Sequence, residues 1–279
     1  MSGEVGFVGL ALSTVMVGVA VAVSLVRRLG LERSILWACA RALVQLLLVG
    51  AALGLVIDPS RPLIWSWLWV AMMILFAAWT TARRAREVPG AFRLSLTAYA
   101  LATGASLAVV LGLGVFPTNG RTIVPIAGMI VGNSLSATVL VGRRIVAEFA
   151  DKVLEIEARL ALGLTNASAA SPYLREAART ALVPQIETTK ATGIVFLPGA
   201  MVGLILAGVR PVDAVRVQVA VMYLVLGSVA TTTSVVAVGM AARLLTPDHR
   251  LRRLDTAPHA PARGVIRVVG VFGVRRGGR

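Results

Sequence analysis

At 279 residues, 57% of them hydrophobic and 15% charged, with a mean hydropathy of +0.82, the chain carries too little polar surface for a water-soluble fold. Its net charge of +15 does not mark a nucleic-acid binder, because the basic residues are spread between long apolar runs, as membrane orientation requires. Cys39 is the only cysteine and lies inside an apolar run, which excludes an intramolecular disulfide and a cysteine-built metal cage.

A helix crosses the hydrocarbon layer with about 20 mainly apolar residues. Seven stretches qualify: Val5–Val26, Ile35–Ile57, Leu63–Ala82, Leu94–Phe116, Ile123–Val141, Ala191–Val209 and Val215–Leu245. The predicted fold is therefore all-α, a polytopic membrane protein of about seven transmembrane helices, with a membrane domain over 1–245 and a basic tail over 246–279. Pro59, Pro62, Pro89, Pro117, Pro172 and Pro211 fall between the stretches, where a missing N–H does least harm, and Pro198 falls inside one. Arg27 and Arg28 follow the first apolar core, whereas a cleavable signal carries its positive charges before it, so the first stretch reads as a retained span.

Arginines set the expected sidedness. Arg27, Arg28 and Arg33 follow span one, Arg83, Arg84, Arg86 and Arg93 follow span three, and Arg143 and Arg144 follow span five. The positive-inside rule puts these loops in the cytoplasm, giving N-terminus out and C-terminus in. Within the spans, polar residues are functional candidates, because a charged group at a helix centre costs about 2.5–3.5 kcal/mol on insertion scales. Arg41 and Gln45 lie four apart on one face of span two, either facing the bundle or, for Arg41, snorkelling to the headgroups. Asn133 lies in span five among Gly128, Gly132 and Ser134, and the Gly-x-x-x-Gly pair predicts close helix packing.

Between spans five and six, Gly142 to Lys190 form the one sizeable cytoplasmic segment. Ile145, Phe149, Val153, Ile156 and Leu160 recur at helical spacing, opposite a mixed-sign face of Glu148, Asp151, Lys152, Glu155 and Arg159. A second helix is expected from Ser171, with Pro172 in its first turn, and Gly163 with Thr165–Ala170 as the turn between them. Such a hairpin is either a solvated connection or a docking surface.

Pro198-Gly199 interrupts span six, where proline removes a helical hydrogen bond; such breaks give a plain kink or an ion site. Met129 and Met201 lie near these irregular points, as core methionines or soft ligands suited to copper(I) rather than ferrous iron. Glu187, ahead of span six, and Asp58, at an outer edge, are the carboxylates nearest a transport path. His249 and His259 read as tail loop residues, so the metal ligands are unknown; Val265–Val274 is too short to span, and the tail is basic enough to lie on an anionic leaflet.

The run Glu157-Ala158-Arg159-Leu160-Ala161-Leu162-Gly163 resembles the Glu-Ala-Ala, three residues, Gly pattern of ABC permeases, in which a short helix fits a groove on the ATPase. Arg41 to Gly50, Pro125 to Ser134, and Leu197 to Met201 leading to Leu206-Ala207-Gly208 add to it. Together they resemble the FetB-type iron-export permease family, to which plant aluminium-tolerance proteins are similar, over about residues 5–245. The resemblance implies a permease in a bacterial plasma membrane, paired with a second copy of itself and two copies of an ATPase subunit that holds ATP and magnesium. It makes Glu157, Ala158, Arg159 and Gly163, with Glu155 on the same charged face, the expected ATPase-coupling residues, while the polar and irregular positions within the spans, Arg41, Gln45, Met129, Asn133, Pro198, Gly199 and Met201, are the candidates for the path. The chain has no Gly-x-x-x-x-Gly-Lys-Ser/Thr phosphate loop, so hydrolysis belongs to a partner, with no cofactor or catalytic residue expected here. Arg159 stands where the general pattern has Ala, and the spacing from Gly163 to Leu182-Val183-Pro184 is longer than usual. The competing functions are an ATP-independent channel or secondary transporter, disfavoured by the lack of a carboxylate deep in any predicted span, and a membrane scaffold.

Overall fold

The computed structural model describes residues 7–246, 248 and 250–252. Among them the regular elements are helices: α1 (Phe7–Val26), α2 (Glu32–Val56), α3 (Ile64–Arg84), α4 (Ala91–Gly112), α5 (Gly120–Asp151), α6 (Val153–Ala161), α7 (Asn166–Ala191), α8 (Gly199–Leu206) and α9 (Pro211–Leu244). His249, His259 and the piece Val265–Val274 lie outside the described residues.

α3, α4, α5 and α9 pack as a bundle in which α4 runs opposite to the other three, with α7 laid along α5 and α9. Small residues permit this approach: a Cβ on Gly239 would meet Leu94 of α4, and one on Gly142 would meet Val88 at 3.3 Å and Met240 at 3.8 Å. The contacts also fix a common level, so the α3–α4 turn, Gly142 of α5 and the C-terminal end of α9 share one end of the bundle. Arg243 secures that end by donating to the carbonyls of Pro89 and Gly90, and Arg143 donates to the carbonyl of Arg84. Gly90 sits at φ +63°, a left-handed conformation that glycine adopts without a Cβ penalty. Within the bundle, the hydroxyls of Thr81 and Tyr99 are 2.6 Å apart, joining α3 to α4 through a polar contact that offsets the cost of burying both groups.

α1 and α2 form a separate hairpin. Buried Ser24 donates to the Glu32 carboxylate at 2.8 Å and accepts from the Leu31 N–H at 3.1 Å, closing the turn. α2 has no buried residue and meets the bundle lightly, at its C-terminal end, through α3 and the start of α5.

Five described helices are long and apolar enough to cross a membrane: α2, α3, α4, α5 and α9. α1 adds a shorter apolar stretch, Thr14–Val26. The expected sixth span, Ala191–Val209, is not one helix. The chain leaves α7 at Ala191, turns at Gly193 with φ +90°, and resumes only at Pro198, which caps the eight-residue α8. Proline holds its own φ and keeps Leu197 out of the helical region, so the hydrophobic run is uninterrupted while the helix is not.

The connecting segment also differs from expectation. Span five runs on through Ile145 and Phe149 as one 32-residue helix, α5, about 48 Å long and so well beyond a 30 Å hydrocarbon layer, and the rest of the amphipathic stretch, Val153, Ile156 and Leu160, lies on the separate α6. The second hairpin helix begins at Asn166 rather than Ser171, because Thr165 accepts from the Ser168 N–H at its N-terminus. Thr165–Ala170 is therefore the cap and first turns of α7, and Pro172 lies inside that helix; the turn is confined to Leu162–Leu164 around Gly163, at φ +85°.

Candidate functional site

The expected coupling residues lie together on α6 and the turn after it. Ile156 and Leu160 are buried, and between them α6 turns its charged face outward: Glu155 meets Arg159 at 3.4 Å and Lys152 at 3.9 Å. Glu157, Ala158 and Gly163 are exposed. Leu154 and Leu162, 82% and 83% exposed, flank these charges with apolar area that no described residue covers. The Arg159 guanidinium lies 5.6 Å from the Tyr173 ring centre on α7. Tyr173 is buried, which pushes its phenol up, and its hydroxyl lies against Glu155 without reaching hydrogen-bond geometry. The nearby phenol proton is the first cause holding the Glu155 carboxyl below its usual range, ahead of Lys152 and Arg159.

Beneath this surface the hairpin has no core of its own. Ile156 and Leu160 of α6 and Tyr173, Ala177 and Ala181 of α7 belong to the same buried cluster as Ile145 and Phe149 of α5 and Met240 and Leu244 of α9. Phe149 and Tyr173 meet edge to face, ring centres 6.3 Å apart. Asn166 at the start of α7 donates to the Thr246 carbonyl at 2.9 Å. A displacement of α6 is thereby loaded directly onto α5 and α9.

The expected path residues are not brought together. Arg41 and Gln45 are exposed on α2 and do not face the bundle. Met129 is partly buried on α5, and Asn133 is exposed, donating to the Met129 carbonyl at 2.7 Å. Of the glycine pair, only Gly128 makes a close approach, 2.9 Å from its Cβ position to the Met73 methyl; Gly132 has nothing within 4 Å. Pro198 and Gly199 begin α8, whose Met201 is buried, and α8 packs on α9. Among the described residues no group of three or more His, Cys, Asp or Glu side chains is placed to hold a metal ion.

At the opposite end of the bundle from the hairpin, a cavity of about 330 Å³ opens between the α2–α3 and α4–α5 turns, lined by Asp58, Arg61, Ser66, Asn119 and Arg121 among others. Asp58 accepts from the Ser60 N–H at 2.9 Å and from its hydroxyl at 2.8 Å, which holds the carboxyl below its ordinary value.

Several apolar helices long enough to span, a bundle without sheets and a hairpin fused to its core define a multi-pass helical membrane protein. The model of the family described as "Uncharacterised protein family (UPF0014)" matches residues 7–245, and the chain belongs to that family. It is 35% identical over 235 residues to the probable iron export permease protein FetB of Escherichia coli (strain K12), covering 80% of this chain and 86% of that one. It is 34% identical to the UPF0014 membrane protein STAR2 of Oryza sativa subsp. japonica, covering 80% and 78%. To the protein ALUMINUM SENSITIVE 3 of Arabidopsis thaliana it is 30% identical, covering 82% and 84%. No solved structure matches.

Proposed function

We propose that this chain is the membrane-spanning permease subunit of an ABC transporter that exports a metal ion, with iron the first candidate, driven by a separate ATPase subunit. The observation that carries this is the single apolar cluster uniting α6 and α7 with α5 and α9, since a coupling element must move the spans it drives. A relative of similar length named as a probable iron export permease supports the cargo. The arginines support the orientation: Arg84, Arg143 and Arg243 cluster at the hairpin end, which on this reading faces the cytoplasm of a bacterial cell, with the N-terminus outside.

In this mechanism ATP and magnesium reside in the partner. Closure of the ATPase pair presses on α6 through its charges and on Leu154 and Leu162, and the shared core tilts α5 and α9. Two copies of the permease enclose the path.

The test is co-purification with the candidate ATPase, followed by ATP hydrolysis in liposomes with and without ferrous iron and competing divalent metals. A stable complex whose hydrolysis rises with one metal is the expected result. Failure to form any complex would return a channel or a scaffold to the front.

A further inference from the structure

The depth of α7 places a charged pair inside the membrane. α7 starts level with the C-terminal end of α9, where Asn166 bonds Thr246, and it packs along α9; α8 packs along α9 further on. At 1.5 Å per residue, α9 is about 51 Å long, α7 about 39 Å and α8 about 12 Å, so the two shorter helices end to end match the longer one. Leu182 agrees with this register, packing against Val221, Val225 and Val229 of α9 and Ala137 of α5. The end of α7 thus lies about 12 Å short of the far end of α9, and Glu187 is about level with Tyr223. That level falls between Arg216 and Arg243, the charges bounding the apolar stretch of α9.

Glu187 and Lys190 pair there at 2.9 Å, with side chains 61% and 68% exposed. Thr188 is exposed beside them and donates to the Pro184 carbonyl, and the Thr192 hydroxyl donates to the Thr188 carbonyl. Such a pair sits in lipid only by snorkelling to the headgroups, whereas a water-filled path spares each charge a cost of a few kcal/mol. By contrast the break that follows, Ile194 at 92% and Val195 at 78% exposed, is apolar, as lipid contact requires. The end of α7 also carries the negative pole of the helix dipole, which favours a cation.

Resting on the transport function above, we propose that the C-terminal end of α7 lines the far-side mouth of the cargo path, and that the Glu187 carboxylate, with Lys190 as its counter-ion at rest, is the group a hydrated divalent cation meets there. Carboxylate and hydroxyl oxygens are hard donors, suited to ferrous or manganous ions rather than to copper(I).

Because Cys39 is the only cysteine, C39A gives a cysteine-free protein in which single cysteines report access to water. The complete transporter in liposomes is treated with a membrane-impermeant cationic methanethiosulfonate. Thr188→Cys is expected to react at least about tenfold faster than Ile194→Cys, since a thiol in apolar surroundings stays protonated and inert. Mn²⁺ is expected to slow the Thr188→Cys reaction, and adding Glu187→Gln to abolish that protection. Equal rates at the two positions, or Mn²⁺ protection that survives Glu187→Gln, overturns the site. Metal export by C39A is measured in parallel: export with an unreactive Thr188→Cys removes this site alone, whereas a reactive, Mn²⁺-protected site without export leaves it standing and removes the transport function.

Discussion

Two glycines on one helix separate what the sequence says about packing from what the fold does with it. A Cβ on Gly120 would lie 2.5 Å from the Ser66 hydroxyl and 3.3 Å from the Ile57 Cα, a backbone atom that cannot yield cheaply. Gly120→Ala is therefore expected to destabilise by about 1–3 kcal/mol, the usual range for overpacking. Gly132→Ala meets nothing within 4 Å and removes a flexible residue from a helix interior, a gain of about 0.5–1 kcal/mol. Thermal midpoints of the two variants in one detergent should move in opposite directions. Glu155 supplies the pH dependence. Its folded pKa is depressed, so its contribution is complete above the unfolded value and fades as pH falls through the folded one. Tyr173→Phe removes the first cause of that depression, so the acid-side fall of its thermal midpoint should be shallower than that of wild type and end at a higher pH, with both flat above about pH 6.

At the scale of elements, hydropathy located α2, α3, α4, α5 and α9 because each is a long apolar run with polar or proline-marked ends. It carries no information on how deep α7 lies. That helix packs through Ala169, Ala170, Ala177 and Ala181, small residues that allow close approach to α5 and α9 but add little to a hydropathy sum, so its packing along the bundle leaves no signal in the sequence. The residues 192–198 show the reverse, a strongly apolar stretch whose helix is stopped by backbone geometry at Gly193 and Pro198. The amphipathic pattern of α6 was legible because it is a local object: Ile156 and Leu160 against Glu155, Glu157 and Arg159 depend on spacing alone. The path residues were not, since which of them share a cavity depends on contacts between distant helices. At this scale, reversing both charges with Glu155→Lys and Glu157→Lys should reduce co-purification of the ATPase by tenfold or more, about 1.4 kcal/mol or greater. Membrane insertion should be unchanged, because neither side chain enters the buried cluster. Undiminished binding by the double variant would remove α6 as the docking element.

The whole molecule leaves α2 paired with α1 and otherwise bare over most of its surface. Its 25 residues bury nothing within the chain, and they include Arg41 and Gln45, about 13 and 20 Å from its start. Leu and Val side chains on such a helix are at home in lipid, but a guanidinium at that depth is favourable only if it snorkels or meets protein. A second copy across a twofold axis would cover α2 with the same surface and bring the two Arg41–Gln45 faces within reach of a shared polar environment. Cys39 lies two residues from Arg41, is exposed, and serves as a built-in probe. A bifunctional thiol reagent with a short spacer should convert the transporter in liposomes to a covalent dimer. The product should be lost with Cys39→Ala and weakened by Arg41→Leu if that side chain is part of the contact. Cross-linking that instead joins the chain to the ATPase, or none at all, would seat α2 elsewhere and leave the two-fold path to be built from the exposed faces of α7 and α5.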